Sequence, residues 1–152
     1  MAHVVLAAKV ARSSLEGRVD VDSSGTGTWH LGHPMDERAA STLAAAGYNG
    51  SSHRAQHFGR TWFDDYDVIV AMDSSNRRDI LADAPDEDSE QRVRMLREFD
   101  PLAGGDLDIP DPWYGGQAGF DDVLAMVERS TDGLIEALEE LLADADGDSA
   151  AH

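Results

Sequence analysis

DVIVAMDSSNRRDI, residues 67–80, decides the fold. Asp67 leads into Val68-Ile-Val-Ala-Met72, an unbroken apolar run rich in β-branched residues. Such a run makes a strand buried on both faces, which is the situation of a strand in a parallel sheet covered by helices. Ser74 or Ser75 then caps a helix that continues through Ala82. A buried strand feeding a capped helix is the repeating unit of an α/β protein.

The rest of the chain falls into place on either side. Residues 1–16 carry a helical stripe of Val4, Val5, Ala8, Ala11 and Leu15, and Gly17 follows as a stop. Val19 and Val21 alternate with Arg18, Asp20 and Asp22, the pattern of a short strand. Residues 23–33 form a loop rich in Gly, Ser and Thr, and Pro34 opens a helix that runs to Ala46 and stops at Gly47. Residues 49–60 are irregular, and residues 61–66 make a short helical turn. An acidic connector, 83–90, leads to a third strand marked by Val93, Met95 and Leu96. After a long loop, 97–119, Phe120, Val123, Leu124, Val127, Thr131, Leu134, Leu138, Leu141 and Leu142 keep helical spacing. The expected fold is α/β in three layers, a small parallel sheet with helices on both faces. Sheets of this kind begin with a strand that enters the first helix, and that first strand is expected to be absent here. Residues 1–143 are read as a single domain and residues 144–152 as a frayed polar tail.

Composition narrows the partners. The 152 residues hold 12 Lys+Arg against 30 Asp+Glu, a formal net charge of −18. That field repels phosphate backbones and anionic lipid surfaces, so neither nucleic acid nor membrane is an expected partner. The apolar share, 41%, is enough for a globular core. There is no cysteine, which removes disulfides, Cys-bound zinc and any thiolate nucleophile from these residues. Val4 to Ala8 is too short for a signal-peptide core and Val68 to Met72 too short for a membrane span, so a cytoplasmic protein is expected.

Three features could carry chemistry. In DIPDPWYG, residues 108–115, Asp111 stands between two prolines and beside two aromatic rings. A stiff backbone and partial desolvation raise a carboxyl pKa towards the range a general acid needs, although Asp-Pro turns with a solvated carboxylate are also common. Residues 23–32 could cradle an anion with successive N–H groups, or be a structural loop; the lysine of a nucleotide P-loop is absent. His30 with His33, and His53 with His57, have ligand-like spacing. The Glu that follows the first His in metalloproteases is missing, so local hydrogen bonding is preferred and neither a metal nor another cofactor is expected.

Taken together, VDSSGTGTWHLG (21–32), DERAASTLAAAGY (36–48), SHRAQ (52–56), DVIVAMDSSNRRDI (67–80), VRMLREFDP (93–101) and DIPDPWYGG (108–116), followed by the helix from Phe120, resemble the low-molecular-weight protein tyrosine phosphatases. The resemblance covers residues 1 to about 143. It implies hydrolysis of phosphotyrosine, on a protein or a small aryl phosphate, through a cysteinyl-phosphate intermediate. In the family the nucleophile sits in a Cys-x5-Arg-Ser/Thr loop between the first strand and the first helix, and this sequence contains no such motif. Met1 resembles the methionine that follows that loop.

The other roles carry over residue by residue. Asp111 resembles the general acid. Trp29 resembles the aromatic wall that stacks on the substrate ring, and Trp113 and Tyr114 the aromatics beside the acid. Ser23 and His53 resemble residues that hydrogen-bond an Asn of the phosphate loop, and without that Asn both are expected to lose a partner. Asp73 resembles an acidic residue at the end of a central strand near the site. These 152 residues alone are therefore expected to be inactive. The alternatives are a non-catalytic pseudo-phosphatase or binding module, and an arsenate reductase of the same fold.

Overall fold

The computed structural model describes residues 1–25, 35–50, 56–110 and 117–150, with side chains for all of these except 117, 118 and 145–150. The elements run α1 (Ala2–Ala11), α2 (Glu37–Ala45), α3 (Trp62–Asp65), β1 (Ile69–Ala71), α4 (Ser74–Ala82), α5 (Glu87–Gln91), β2 (Val93–Met95), a 3-10 helix (Leu96–Phe99) and α6 (Gln117–Ala150).

β1 and β2 pair in parallel, with Ile69 opposite Val93 and Ala71 opposite Met95. Alternation along β1 sends its side chains to two different cores. Ile69 and Ala71 join Phe58, Phe63, Ile80, Val93 and Met95 on the face covered by α3 and α4. Val70 and Met72 pack on the opposite face, against a core built from Val5 of α1, Leu43 of α2 and Val123, Leu124 and Val127 of α6. Residues 69–72 thus alternate between two cores, while Val68 is 37% exposed, and the three-layer α/β architecture follows from that burial on both faces. Phe63 of the first of these cores is fully buried, as is Phe120 of α6. Each such side chain contributes about 1.5–3 kcal/mol by leaving water.

Several boundaries differ from the sequence pattern, for local reasons. The first helix stops at Ala11 rather than at residue 16. Ser13 Oγ donates to the Val10 carbonyl and accepts from the Leu15 N–H, so a side chain offers the backbone an alternative to the next helical turn. Val10, not Ala11, completes the buried stripe with Val5 and Leu15. Val19 and Val21 do turn towards Val10, Leu15 and Ile135, but they have no ladder partner among the described residues and form no strand. The parallel bridge near them is Gly25 with His57.

Asp73, rather than either serine, caps α4 by accepting from the Asn76 N–H at 2.7 Å. Asp36 does the same for α2, bonding the N–H groups of Arg38 and Ala39. The acidic connector is partly helical, because Asp86 caps α5 through the Ser89 N–H and Ser89 is buried. Leu96 belongs to the 3-10 helix and not to the third strand. The last helix continues to Ala150, eight residues beyond Leu142, and no proline interrupts it.

Candidate active site

In open α/β sheets, ligands bind beyond the carboxyl ends of the strands. Here the carboxyl end of β1 runs through Met72 into Asp73 and Ser74. Its neighbours are the first residues of α1 and the segment at Ile109. Met1, Met72 and Ile109 all pack into the same hydrophobic cluster, which brings these three chain segments together.

One corner is polar and centred on Asp22. His3 Nδ1 lies 2.8 Å from Ser23 Oγ. Asp22 Oδ1 accepts from the Ser23 N–H at 2.9 Å and from Gln56 Nε2 at 2.7 Å, and Asp22 Oδ2 accepts from the Tyr66 hydroxyl at 2.7 Å. Burial pushes the Asp22 carboxyl up, but the donors, Tyr66 foremost, outweigh it and the carboxyl lies below its ordinary range. The same bond pushes the Tyr66 phenol up to about 12, because its ionisation would set two negative charges side by side. His3 is held below its ordinary value, chiefly by burial, against the opposing pull of the Asp22 charge. The backbone continues the arrangement: Gly25 N–H donates to the Gln56 carbonyl and Phe58 N–H to the Gly25 carbonyl, each at 2.8 Å.

The opposite corner is built on Asp108. Its Oδ1 accepts from both the backbone N–H of Ser74, at 2.8 Å, and the Ser74 hydroxyl, at 2.7 Å. Ile109 N–H donates to the Met72 carbonyl at 2.9 Å. Behind them stands a buried charge network. Asp100 accepts from Arg129 at 3.0 and 3.2 Å and from Arg97 at 3.4 Å. Arg97 also reaches the Asp108 carbonyl at 3.3 Å. Burial raises the Asp100 carboxyl, yet the bonds from Arg129 and the Leu102 N–H, with the Arg97 contact, bring it below its ordinary range.

Of the residues singled out in the sequence, Ser23 and Asp73 lie here. Ser23 has a hydrogen-bonding partner in His3. Asp73 spends its carboxylate on capping α4. Trp29, His53, Asp111, Trp113 and Tyr114 lie outside the described residues, as do His30 and His33. His57 is described, at the bridge with Gly25. His3, Asp22, Tyr66, Ser74 and Asp108 were not singled out; their partners are 20 to 44 residues away in the chain, beyond the reach of local patterns. Among the described residues no helix is long and apolar enough to cross a membrane.

Comparisons with known proteins agree on one family. The sequence profile described as "Low molecular weight phosphotyrosine protein phosphatase" matches residues 1–144. The chain is 45% identical over 141 residues to the low molecular weight protein-tyrosine-phosphatase of Streptomyces coelicolor, covering 92% of this chain and 85% of that protein. It is 41% identical over 144 residues to low molecular weight protein-tyrosine phosphatase A of Mycobacterium tuberculosis, covering 94% and 85%. Among solved structures, a protein tyrosine phosphatase of Entamoeba histolytica with Hepes in its active site superposes with a TM-score of 0.85 at 29% identity, covering 91% of this chain and 87% of that one. A sheet whose carboxyl end meets the start of α1, and a profile match over nearly the whole sequence, lead to the same result: the chain belongs to the low molecular weight phosphotyrosine protein phosphatase family.

Proposed function

We propose that the protein acts in phosphotyrosine hydrolysis, on a phosphoprotein or a small aryl phosphate, and that residues 1–152 by themselves hold the leaving-group half of that chemistry without the nucleophile. The observation that carries this reading is the convergence of the α1 N-terminus, the Ser23 corner and the end of β1 in a chain of this family. α1 begins with no side-chain cap and no acidic residue in its first turn. The N-terminal end of a helix favours an anion, and in the resemblance the phosphate loop immediately precedes this helix. The sequence supplies no cysteine to that place.

The chemistry then divides. A cysteine thiolate supplied upstream attacks phosphorus, and the P–O bond to the tyrosine oxygen breaks. Asp111 gives its proton to that oxygen. Water next attacks the cysteinyl phosphate and returns a proton to Asp111, and cleavage of the P–S bond releases phosphate. Trp29, Trp113 and Tyr114 wall the aromatic leaving group, while Ser23 and His53 steady the phosphate loop and Asp73 holds the start of α4. Residues 1–143 act as one domain, in the cytoplasm, with no call on nucleic acid or membrane. An arsenate reductase would need the same missing thiolate, and the Asp111-Pro112-Trp113-Tyr114 element favours the phosphatase.

The test is a protein carrying an upstream strand and a Cys-x5-Arg-Ser loop ahead of Met1. It should hydrolyse phosphotyrosine, with no loss of rate in EDTA. Asp111→Ala should slow it by roughly 10²–10⁴-fold, the range for a positioned proton donor. Indifference to Asp111→Ala, or strong inhibition by chelator, would reject the reading.

A further inference from the structure

Asp108 stands three residues before Asp111, and Pro110 lies between them. Both ends of Asp108 are held. Its carboxylate accepts two hydrogen bonds from Ser74 at the N-terminus of α4, and its carbonyl accepts from Arg97. The next residue, Ile109, is buried and bonded to Met72. A carboxylate at the N-terminus of a nine-residue helix also meets the positive end of its dipole. Met72 just past β1, Ser74 of α4 and Arg97 of the 3-10 helix therefore fix one dipeptide. Beyond it the proline ring at 110 locks φ and limits the paths the chain can take to Asp111.

We propose that Asp108 is a positioning residue for the general acid, clamping the root of the loop that carries Asp111 to the first turn of α4. The proposal rests on the reading of Asp111 given above. A carboxyl that must meet a leaving oxygen within hydrogen-bond reach is sensitive to displacement at the root of its loop, because a misplacement of about 1 Å can cost about 10²-fold in rate. Asp108 acts through Asp111 and touches no substrate.

The clamp is read first on the 152-residue protein, by amide exchange. Asp108→Ala should speed exchange at Ser74 and Ile109, and Asp108→Asn, whose Oδ1 still accepts both bonds, should restore protection. Catalysis is read on the protein extended with the Cys-x5-Arg-Ser loop, as kcat/KM for phenyl phosphate and p-nitrophenyl phosphate. Phenol, a poor leaving group of pKa about 10, needs the acid more than p-nitrophenol does. Asp108→Ala should lower the phenyl phosphate value at least about 10-fold and the p-nitrophenyl value less. Asp108→Asn should recover most of the loss. Ser74→Ala, which removes only the hydroxyl bond, should fall between them and guards against a misfolded alanine variant. With Asp111→Ala already present, Asp108→Ala should have no further effect, as expected of two residues acting in series. Equal losses on both esters, undiminished losses in the Asp111→Ala background, unchanged exchange, or activity that needs Asp111 but not Asp108 would overturn this proposal alone. An extended protein inactive on both esters, or indifferent to Asp111→Ala, would overturn the reading of Asp111 and this proposal with it.

Discussion

Gly133→Ala should destabilise the fold, although alanine is the better helix former. Gly133 lies inside α6, where the 3-10 helix Leu96–Phe99 crosses it. A Cβ at position 133 would stand 2.1 Å from the Phe99 carbonyl oxygen and 3.1 Å from Phe99 Cβ. Carbon and carbonyl oxygen approach comfortably to about 3.3 Å, so the 3-10 helix must retreat by about 1.2 Å. The displaced atoms include backbone, which cannot rotate away as a side chain could. Alanine gains about 1 kcal/mol of helix propensity over glycine. Overpacking costs about 1–3 kcal/mol. The retreat also stretches the contacts between Asp100 and Arg129, now at 3.0 and 3.2 Å, and charge-assisted bonds of this kind are worth about 1.5–3 kcal/mol each. The losses outweigh the gain, by about 1.5–5 kcal/mol in all if one such bond is lost. For a chain of this size that lowers Tm by roughly 3–20 °C. Thermal melts followed by circular dichroism measure it, with Gly59→Ala as the control, since a Cβ there meets nothing within 4 Å. A Gly133→Ala protein that melts at or above the parent temperature would refute the reasoning.

Three further outcomes follow from the charged groups and the sheet. Asp100→Asn should cost about 3 kcal/mol, because the two Arg129 bonds lose their charged acceptor and the buried Arg97 guanidinium keeps only the exposed Asp106 carboxylate at 3.5 Å. Because the Asp100 carboxyl lies below its ordinary value of 3.8, its contribution is present above that pH and is lost as pH falls through the native value; urea midpoints from pH 6 to 3 should fall more steeply in the parent than in Asp100→Asn, and equal slopes would count against the network. His3 lies below its ordinary 6.5, so the unfolded chain takes up the proton first and stability falls as pH drops below that value; His3→Gln should flatten the urea midpoint between pH 7.5 and 5.5, and an unchanged slope would show that His3 is not the group responsible. An upstream strand placed between Val19–Ser23 and β1 should sharpen the melt and strengthen the near-UV circular dichroism signal, whereas an equally sharp melt of the 152-residue protein would show that the sheet does not need it.

The strand–helix pair at 67–82 and the long last helix were legible because each is encoded locally. An apolar run buried on both faces and an apolar stripe at helical spacing each require only neighbours in the sequence. Val19 and Val21 show the limit: alternation describes which side chains face inward, but a strand also requires a partner for its backbone, and that is a property of the rest of the chain. Residues 87–91 show the opposite error. Acidic composition reads as a solvated connector, yet one Asp in capping position and one buried serine suffice for a short helix. The resemblance singles out Ser23 and Asp73, and both lie at the carboxyl end of the sheet. Asp108 was not legible, because a carboxylate that bonds the first turn of a helix 34 residues earlier in the chain has no signature in spacing. Arg97 and Arg129 likewise read as ordinary surface cations until the fold sets both against Asp100.

The most direct measurement is steady-state hydrolysis of p-nitrophenyl phosphate by the purified 152-residue protein beside the same protein extended through a Cys-x5-Arg-Ser loop. The extended protein should turn over, and Asp111→Ala should slow it. The 152-residue protein should stay at the buffer rate, since it contains no thiolate to form the phosphoenzyme. Turnover by the 152-residue protein that Asp111→Ala abolishes would contradict this, and would place the nucleophile among the residues already present.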